Sequence, residues 1–356
     1  VKTWSRFVKR AVGLTVTAVS VYLVIPAVVE VFSSWPELER LRPGSLGLMT
    51  ISMVISFACF WVLYGLCLRS NDWTLMATSQ LASSAIARIV PGGAATATAV
   101  QYRLLQDAGV AKRAVGTGLA VATILNFAVL FSLPVFAIPA ILLGPPIAPL
   151  LLRATVAAVI GFVAAALVSG LFFFRDRPLV LLGRSVDAVL RRTGRGERSA
   201  PPRSQTFVEA RDLVRSHLST NWPWVVVASL GRWGFEYLAL VLAVRGVGHD
   251  DIGSVLLLAF VTASLLSRVP FTPGGLGFVE AGLTGTLTLA GLSPGDAVLA
   301  TLAFRLVSYW FPIPVGALAY LVHRRYLHRR GIETESLAEF GQHELESLSG
   351  ERPTSE

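Results

Sequence analysis

Residues 267–282 read SRVPFTPGGLGFVEAG. Arg268 closes one apolar run, and a carboxylate, Glu280, stands near the start of the next. Between them lie Pro270, Pro273, Gly274, Gly275 and Gly277. Proline removes a backbone donor and stops a continuous helix, and glycine lets the chain turn where a Cβ would clash. The helix that restarts after the glycines offers free N–H groups and the positive end of its dipole, which favour an anion. An arginine beside it adds a planar fork that fits phosphate. The plainer alternative is that the arginine only caps carbonyls freed at the break. Glu280, seven residues past Pro273, reads as about two turns into the second arm. It has three possible uses: holding a cationic group, carrying a proton, or neutralising an arginine.

The same arrangement occurs earlier. Arg88 precedes Pro91-Gly92-Gly93, 182 residues before Pro273-Gly274-Gly275, and at the same offset Gly109 matches Gly291. The flanking segment, 74–108, holds Gln80, Ser83, Ser84, Thr96, Thr98, Gln101 and Arg103. Arg232 and Glu236 stand at i and i+4, so they share a helix face and can neutralise each other. Arg305 is a candidate partner of Glu280 or Glu236, with Tyr309 one turn later as a hydrogen-bonding or packing neighbour. The five histidines, His217, His249, His323, His328 and His343, fall in loops, span ends or the tail and form no metal spacing. No nucleophile–base pairing and no nucleotide-binding loop is legible. The reading therefore expects no enzyme activity, no metal and no cofactor. Cys59 and Cys67 share one apolar stretch, about 12 Å apart in helical rise, and cannot bond to each other.

What must position these groups is a membrane fold. Hydrophobic residues make up 53% of the chain and charged residues 15%, with a mean hydropathy of +0.62, against roughly 25% charged residues in soluble domains. The net charge of +9 gathers in the N-terminus, one central loop and the segment after the last span. That distribution fits the positive-inside rule, and it lacks the aromatic pattern of a nucleic-acid module. The fold class expected is all-α and polytopic, with about six full spans plus two re-entrant broken-helix hairpins, or up to ten crossings if the hairpins are pairs of spans.

Lys2, Arg6, Lys9 and Arg10 precede an apolar run over 11–32, read as a retained first helix with a cytoplasmic N-terminus. Further spans are expected over 46–68, 114–138, 150–174, 223–244 and 297–322, with a tight external turn at 144–149. The arms around each Pro-Gly-Gly are short for a span, which favours hairpins. One hairpin opens to the cytoplasm and the other outward. This makes two inverted units, about 46–138 and 223–322, and such repeats with discontinuous helices place a site where the breaks meet. The 175–222 segment carries ten arginines against five acids. It is expected to be a basic cytoplasmic loop with a short amphipathic helix, FVEARDLVRSHL, on the membrane surface. The tail, 326–356, reads as disordered and cytoplasmic.

RVPFTPGGLGFVEAGLTGTL, followed by FRLVSYWFPIPVGAL over 304–318, resembles the flippase-like lysylphosphatidylglycerol synthase transmembrane family. The family pattern falls on Pro273, Gly274, Gly275, Gly277 and Glu280, then Arg305, Tyr309 and Trp310. The resemblance extends over about residues 10–325. It implies movement of a charged phospholipid or lipid-linked intermediate between leaflets of a bacterial plasma membrane. The partners it implies are anionic or aminoacylated phospholipid or a lipid-linked sugar, with a separate cytoplasmic synthase in addition. The residues after the last span, 323–356, are too few for the aminoacyl-transfer domain of longer relatives, so synthase activity is not expected of this chain. The substrate-binding set expected is Arg88, Pro91, Gly92, Gly93, Arg268, Pro273, Gly274, Gly275, Gly277, Glu280, Arg305 and Tyr309, with Arg232 and Glu236 as an intramembrane charge pair. The competing hypothesis is a non-transporting subunit that docks a lipid-modifying enzyme through the 175–222 loop.

Overall fold

The structure, a computed structural model, describes residues 38–90, 93–143, 203–250, 253–267 and 273–332, with scattered positions between 156 and 187. Pro91, Gly92 and Arg268 lie outside the described residues. So do the expected first helix, the 144–149 turn, most of the 150–174 span and the tail beyond Ile332.

The described elements fall into two sets of four. The first set is α1 (Ser45–Leu68), α2 (Trp73–Ile89), α3 (Gly93–Asp107) and α4 (Lys112–Leu143). The second begins with α5 (Arg203–Gly246), α6 (Gly253–Leu266) and α7 (Phe278–Leu289). It ends with a long helix made of α8 (Pro294–Arg305), a π-turn (Leu306–Trp310) and α9 (Pro312–Arg329). Each set runs long, short, short, long. Among the described residues four stretches are long and apolar enough to cross a membrane: Ser45–Leu68, Ala114–Leu133, Asn221–Gly246 and Pro294–Arg329. At 1.5 Å per residue, α2, α3, α6 and α7 reach only about 18–26 Å, less than the roughly 30 Å of a hydrocarbon core. The all-α membrane architecture read from composition is the one observed.

Local chemistry explains the ends. Asp72 caps α2 by accepting from the Leu75 N–H at 3.1 Å. Ser293 caps α8, ahead of Pro294 in the first turn. α3 and α7 stop in the same way: Gly109 (φ 82°) and Gly291 (φ 104°) adopt the left-handed conformation that only glycine takes at no cost. The N–H of the next residue then reaches back, Val110 to the Leu105 carbonyl and Leu292 to the Leu287 carbonyl. Both leucines are fully buried.

The two sets interlock by exchange. α1 packs along α5, the corresponding helix of the other set. α2 packs on α9, and its counterpart α6 packs on α4. So the first short arm of each set lies against the last long helix of the other. The α1–α5 seam is antiparallel and held by hydroxyls: Ser52 donates to the Phe235 carbonyl at 2.7 Å and Ser56 to the Arg232 carbonyl at 2.6 Å. Without water competing, such bonds join helices that lipid tails cannot drive together. At the α2–α9 crossing, Gly316 lies against the Leu81 backbone and Ala85, leaving no room for a Cβ. The stretch expected as a separate surface helix, 207–218, is helical, but it runs unbroken into the following span as part of α5. Pro223 sits inside that helix without ending it.

Candidate functional site

The two breaks converge. The Pro273–Gly275 turn contacts α2, the arm that ends in Arg88. Gly274, Gly275 and Gly277 all have positive φ (54°, 74° and 84°), so the chain stays out of helix until Phe278. This corrects the expected depth of Glu280, which lies in the first turn of α7. There its Oε2 accepts from the Gly277 N–H at 2.8 Å, closing the helix start. Its Oε1 accepts from Arg305 Nε at 2.6 Å, so the sequence's two candidate partners for Arg305 resolve to Glu280.

Arg305 is buried at 5% exposure, and its guanidinium lies over the Tyr309 ring at 4.2 Å. It also reaches the Gly274 carbonyl at 3.5 Å. A Cβ on Gly274 would collide with that same Tyr309 ring, which is why the turn needs glycine at this position as well as positive φ. The Tyr309 hydroxyl donates to the Arg88 carbonyl at 2.5 Å, a bond between residues 221 apart in sequence. It satisfies one of the carbonyls left over where α2 ends. In return, Arg88 Nη2 donates to the Ser308 carbonyl at 3.0 Å. Pro312, four residues on, has no N–H to offer that carbonyl. Arg88 Nη1 donates to the Ser84 carbonyl at 2.7 Å. The π-turn therefore lies where both sets meet, and such turns often mark functional positions.

Arg232 and Glu236 pair within α5, as their spacing suggested. Arg232 also donates to Ser56 Oγ at 3.0 Å and is flanked by the rings of Phe60 at 5.2 Å and Trp233 at 4.8 Å. These groups surround one cavity of about 270 Å³. Arg88, Arg232, Glu236, Gly274, Arg305 and Tyr309 line it, with Gln80, Gln101 and Asn126. Gln80 is fixed by the Trp61 indole N–H at 3.0 Å. Glu280 stands behind Arg305 and does not line the cavity itself. Gly93 begins α3, tight against the Ala87 backbone. Pro273 begins the turn, while Gly275 and Gly277 shape it without lining the cavity.

Asn126 was not legible as a site residue. Its only signal is a lone amide in the apolar run 114–138. Its backbone carbonyl accepts from the Trp233 indole N–H at 2.9 Å, which anchors α4 to α5. Among the described residues no group of three or more His, Cys, Asp or Glu side chains is placed to hold a metal ion. Cys59 and Cys67 are both free.

Fold and site together define a multi-pass, all-α membrane protein with a charged cavity where two broken helices meet. The chain belongs to the family described as the lysylphosphatidylglycerol synthase TM region, which matches residues 9–316. Three UPF0104 membrane proteins of Methanothermobacter thermautotrophicus are similar over shorter stretches. One is 32% identical over 87 residues, 24% of this chain and 26% of the relative. A second is 27% identical over 99 residues, 28% of each chain. A third is 28% identical over 94 residues, 26% of this chain and 28% of the relative. The chain thus matches about a quarter of the length of these curated relatives.

Proposed function

We propose that the protein carries a charged phospholipid or lipid-linked intermediate between the leaflets of a cell membrane. One observation carries the reading: three arginines and a glutamate converge on one cavity between the two sets of helices, inside a shell of apolar spans. Ionisable groups at membrane depth are costly, and they mark pathways for polar cargo. A space of about 270 Å³ suits a headgroup and is too small for acyl chains, so the tails stay in the bilayer. The exchanged packing of α2 on α9 and α6 on α4 suits two inverted repeats that rock against each other and open the cavity to one side at a time. The short arms are then re-entrant hairpins, with the Lys112 side cytoplasmic, the termini on that same side, and a bacterial plasma membrane as the setting.

The test is headgroup accessibility of labelled lipids in proteoliposomes, comparing wild type with Arg88→Gln. The variant should retain its fold and lose lipid crossing. Equal crossing in wild-type and protein-free vesicles, over several anionic and aminoacylated lipids, would remove the reading.

A second reading rests on α5. Its 44 residues span about 66 Å, twice a hydrocarbon core, so a long helical stretch stands beyond the membrane. That stretch suits a platform for a separate lipid-modifying enzyme. Deleting 203–218 would abolish function under this reading and spare it under the first.

A further inference from the structure

Charge balance and two orphaned amides in the cavity wall carry a statement about what the cavity accepts. Arg305 is paired with Glu280 and Arg232 with Glu236. Among the described residues Arg88 donates to the Ser84 and Ser308 carbonyl oxygens and lies over the face of Phe57, 5.9 Å away, with Glu236 acting on it through space and no carboxylate hydrogen-bonded to it. Three guanidiniums against two carboxylates leave a net single positive charge at the site among the described residues. Both carboxylates are already engaged by guanidiniums, so neither is free to receive an ammonium group.

Among the described residues the remaining polar wall is neutral. Gln101 on α3 and Asn126 on α4 line the cavity, each at 4% exposure. Gln101 Nε2 and Asn126 Oδ1 are buried and have no hydrogen-bond partner among the described residues. Buried polar atoms are almost always paired, so two orphans on one cavity point to a ligand that completes them. An amide both donates and accepts, which matches hydroxyl groups, and it cannot neutralise a cation.

We propose that the cavity selects a headgroup with a single net negative charge, a phosphate flanked by hydroxyls. Arg88 takes the phosphate, Gln101 and Asn126 take the hydroxyls, and headgroups made cationic by an amino acid are rejected. The substrate role rests on the transport reading above, but the readout is binding and stands apart from transport.

The experiment measures thermal shift and native mass spectra of the purified protein in micelles. The probes are phosphatidylglycerol, lysyl-phosphatidylglycerol and the water-soluble phosphodiester glycerophosphoglycerol. Wild type should bind phosphatidylglycerol about tenfold more tightly than its lysyl ester, the scale of one charge-assisted hydrogen bond. Asn126→Asp is isosteric and adds a carboxylate, so it should erase most of that preference. Gln101→Leu should weaken phosphatidylglycerol binding. Equal or tighter binding of the lysyl ester by wild type, or an unchanged preference in Asn126→Asp, overturns the proposal. If glycerophosphoglycerol competes as well as the lipid, the same headgroup chemistry belongs to a soluble anion. If it does not, the chemistry belongs to a lipid. Preference without lipid crossing in vesicles keeps this inference and removes transport. Lipid crossing without a binding preference does the reverse.

Discussion

The Arg305–Glu280 pair gives the sharpest stability prediction. Arg305 Nε and Glu280 Oε1 are 2.6 Å apart, with side-chain exposures of 6% and 27%. Glu280→Gln leaves a guanidinium buried without its counter-charge. Removing one partner of a fully buried pair costs about 3–5 kcal/mol. Partial exposure of Glu280 moves the expectation to about 2–3 kcal/mol. The bond from the Gly277 N–H adds little to the loss, because a glutamine oxygen still accepts it. Arg305→Met should cost a similar amount. The double variant should cost no more than either single change, because an apolar side chain tolerates what a stranded charge does not. The coupling energy from the cycle is then about 2 kcal/mol, well above the 0.3–0.5 kcal/mol scatter of independent sites. Reversible unfolding in mixed micelles measures all four proteins. Additive single-variant costs would refute the reasoning, since the two groups would then not depend on each other. Arg88→Gln supplies the contrast. Among the described residues no carboxylate is hydrogen-bonded to Arg88, so relief of its desolvation offsets the two lost bonds to carbonyls, and its loss should cost only about 1 kcal/mol of stability while removing lipid crossing.

Gly274→Ala should destabilise by about 2–4 kcal/mol, through a positive φ and a Cβ driven into the Tyr309 ring. Unfolding in micelles checks it, and Gly277→Ala, with positive φ but open space around its Cβ, should cost only the backbone part. Gly316→Ala should separate α2 from α9 and cost about 1–3 kcal/mol, seen as a lowered Tm in detergent. At the N-terminus of α2, burial pushes the Asp72 carboxyl up, but the Tyr326 hydroxyl, the Leu75 N–H and the charge of Arg330 outweigh it and hold it below the usual range. A lowered folded pKa stabilises at pH above the unfolded value of about 3.9. That contribution fades as pH falls through the folded value, so Tm should drop below about pH 4 in wild type and less so in Asp72→Asn.

Much of the scaffold was legible in one dimension. Hydropathy alone gives an all-α membrane protein, because a backbone without water must satisfy its own hydrogen bonds. The two Pro-Gly-Gly breaks and the matched Gly109 and Gly291 stops follow from what proline and glycine permit locally. The Arg232–Glu236 pair was equally readable, since i and i+4 on one helix have no choice but to face together. Glu280 was placed about one turn too deep because the helix restarts only when positive φ ends, and the count of residues from Pro273 does not reveal that point.

Everything that makes these parts one site depends on rotation and crossing of helices. That Arg305 meets Glu280 rather than Glu236, that Tyr309 caps α2 from 221 residues away, and that Asn126 faces the same cavity as Gln101 are decided by packing between the two sets. Sequence spacing fixes which groups share one helix face. It leaves open which faces of different helices meet, and a turn of about 100° about any one of them would point its charges into lipid instead.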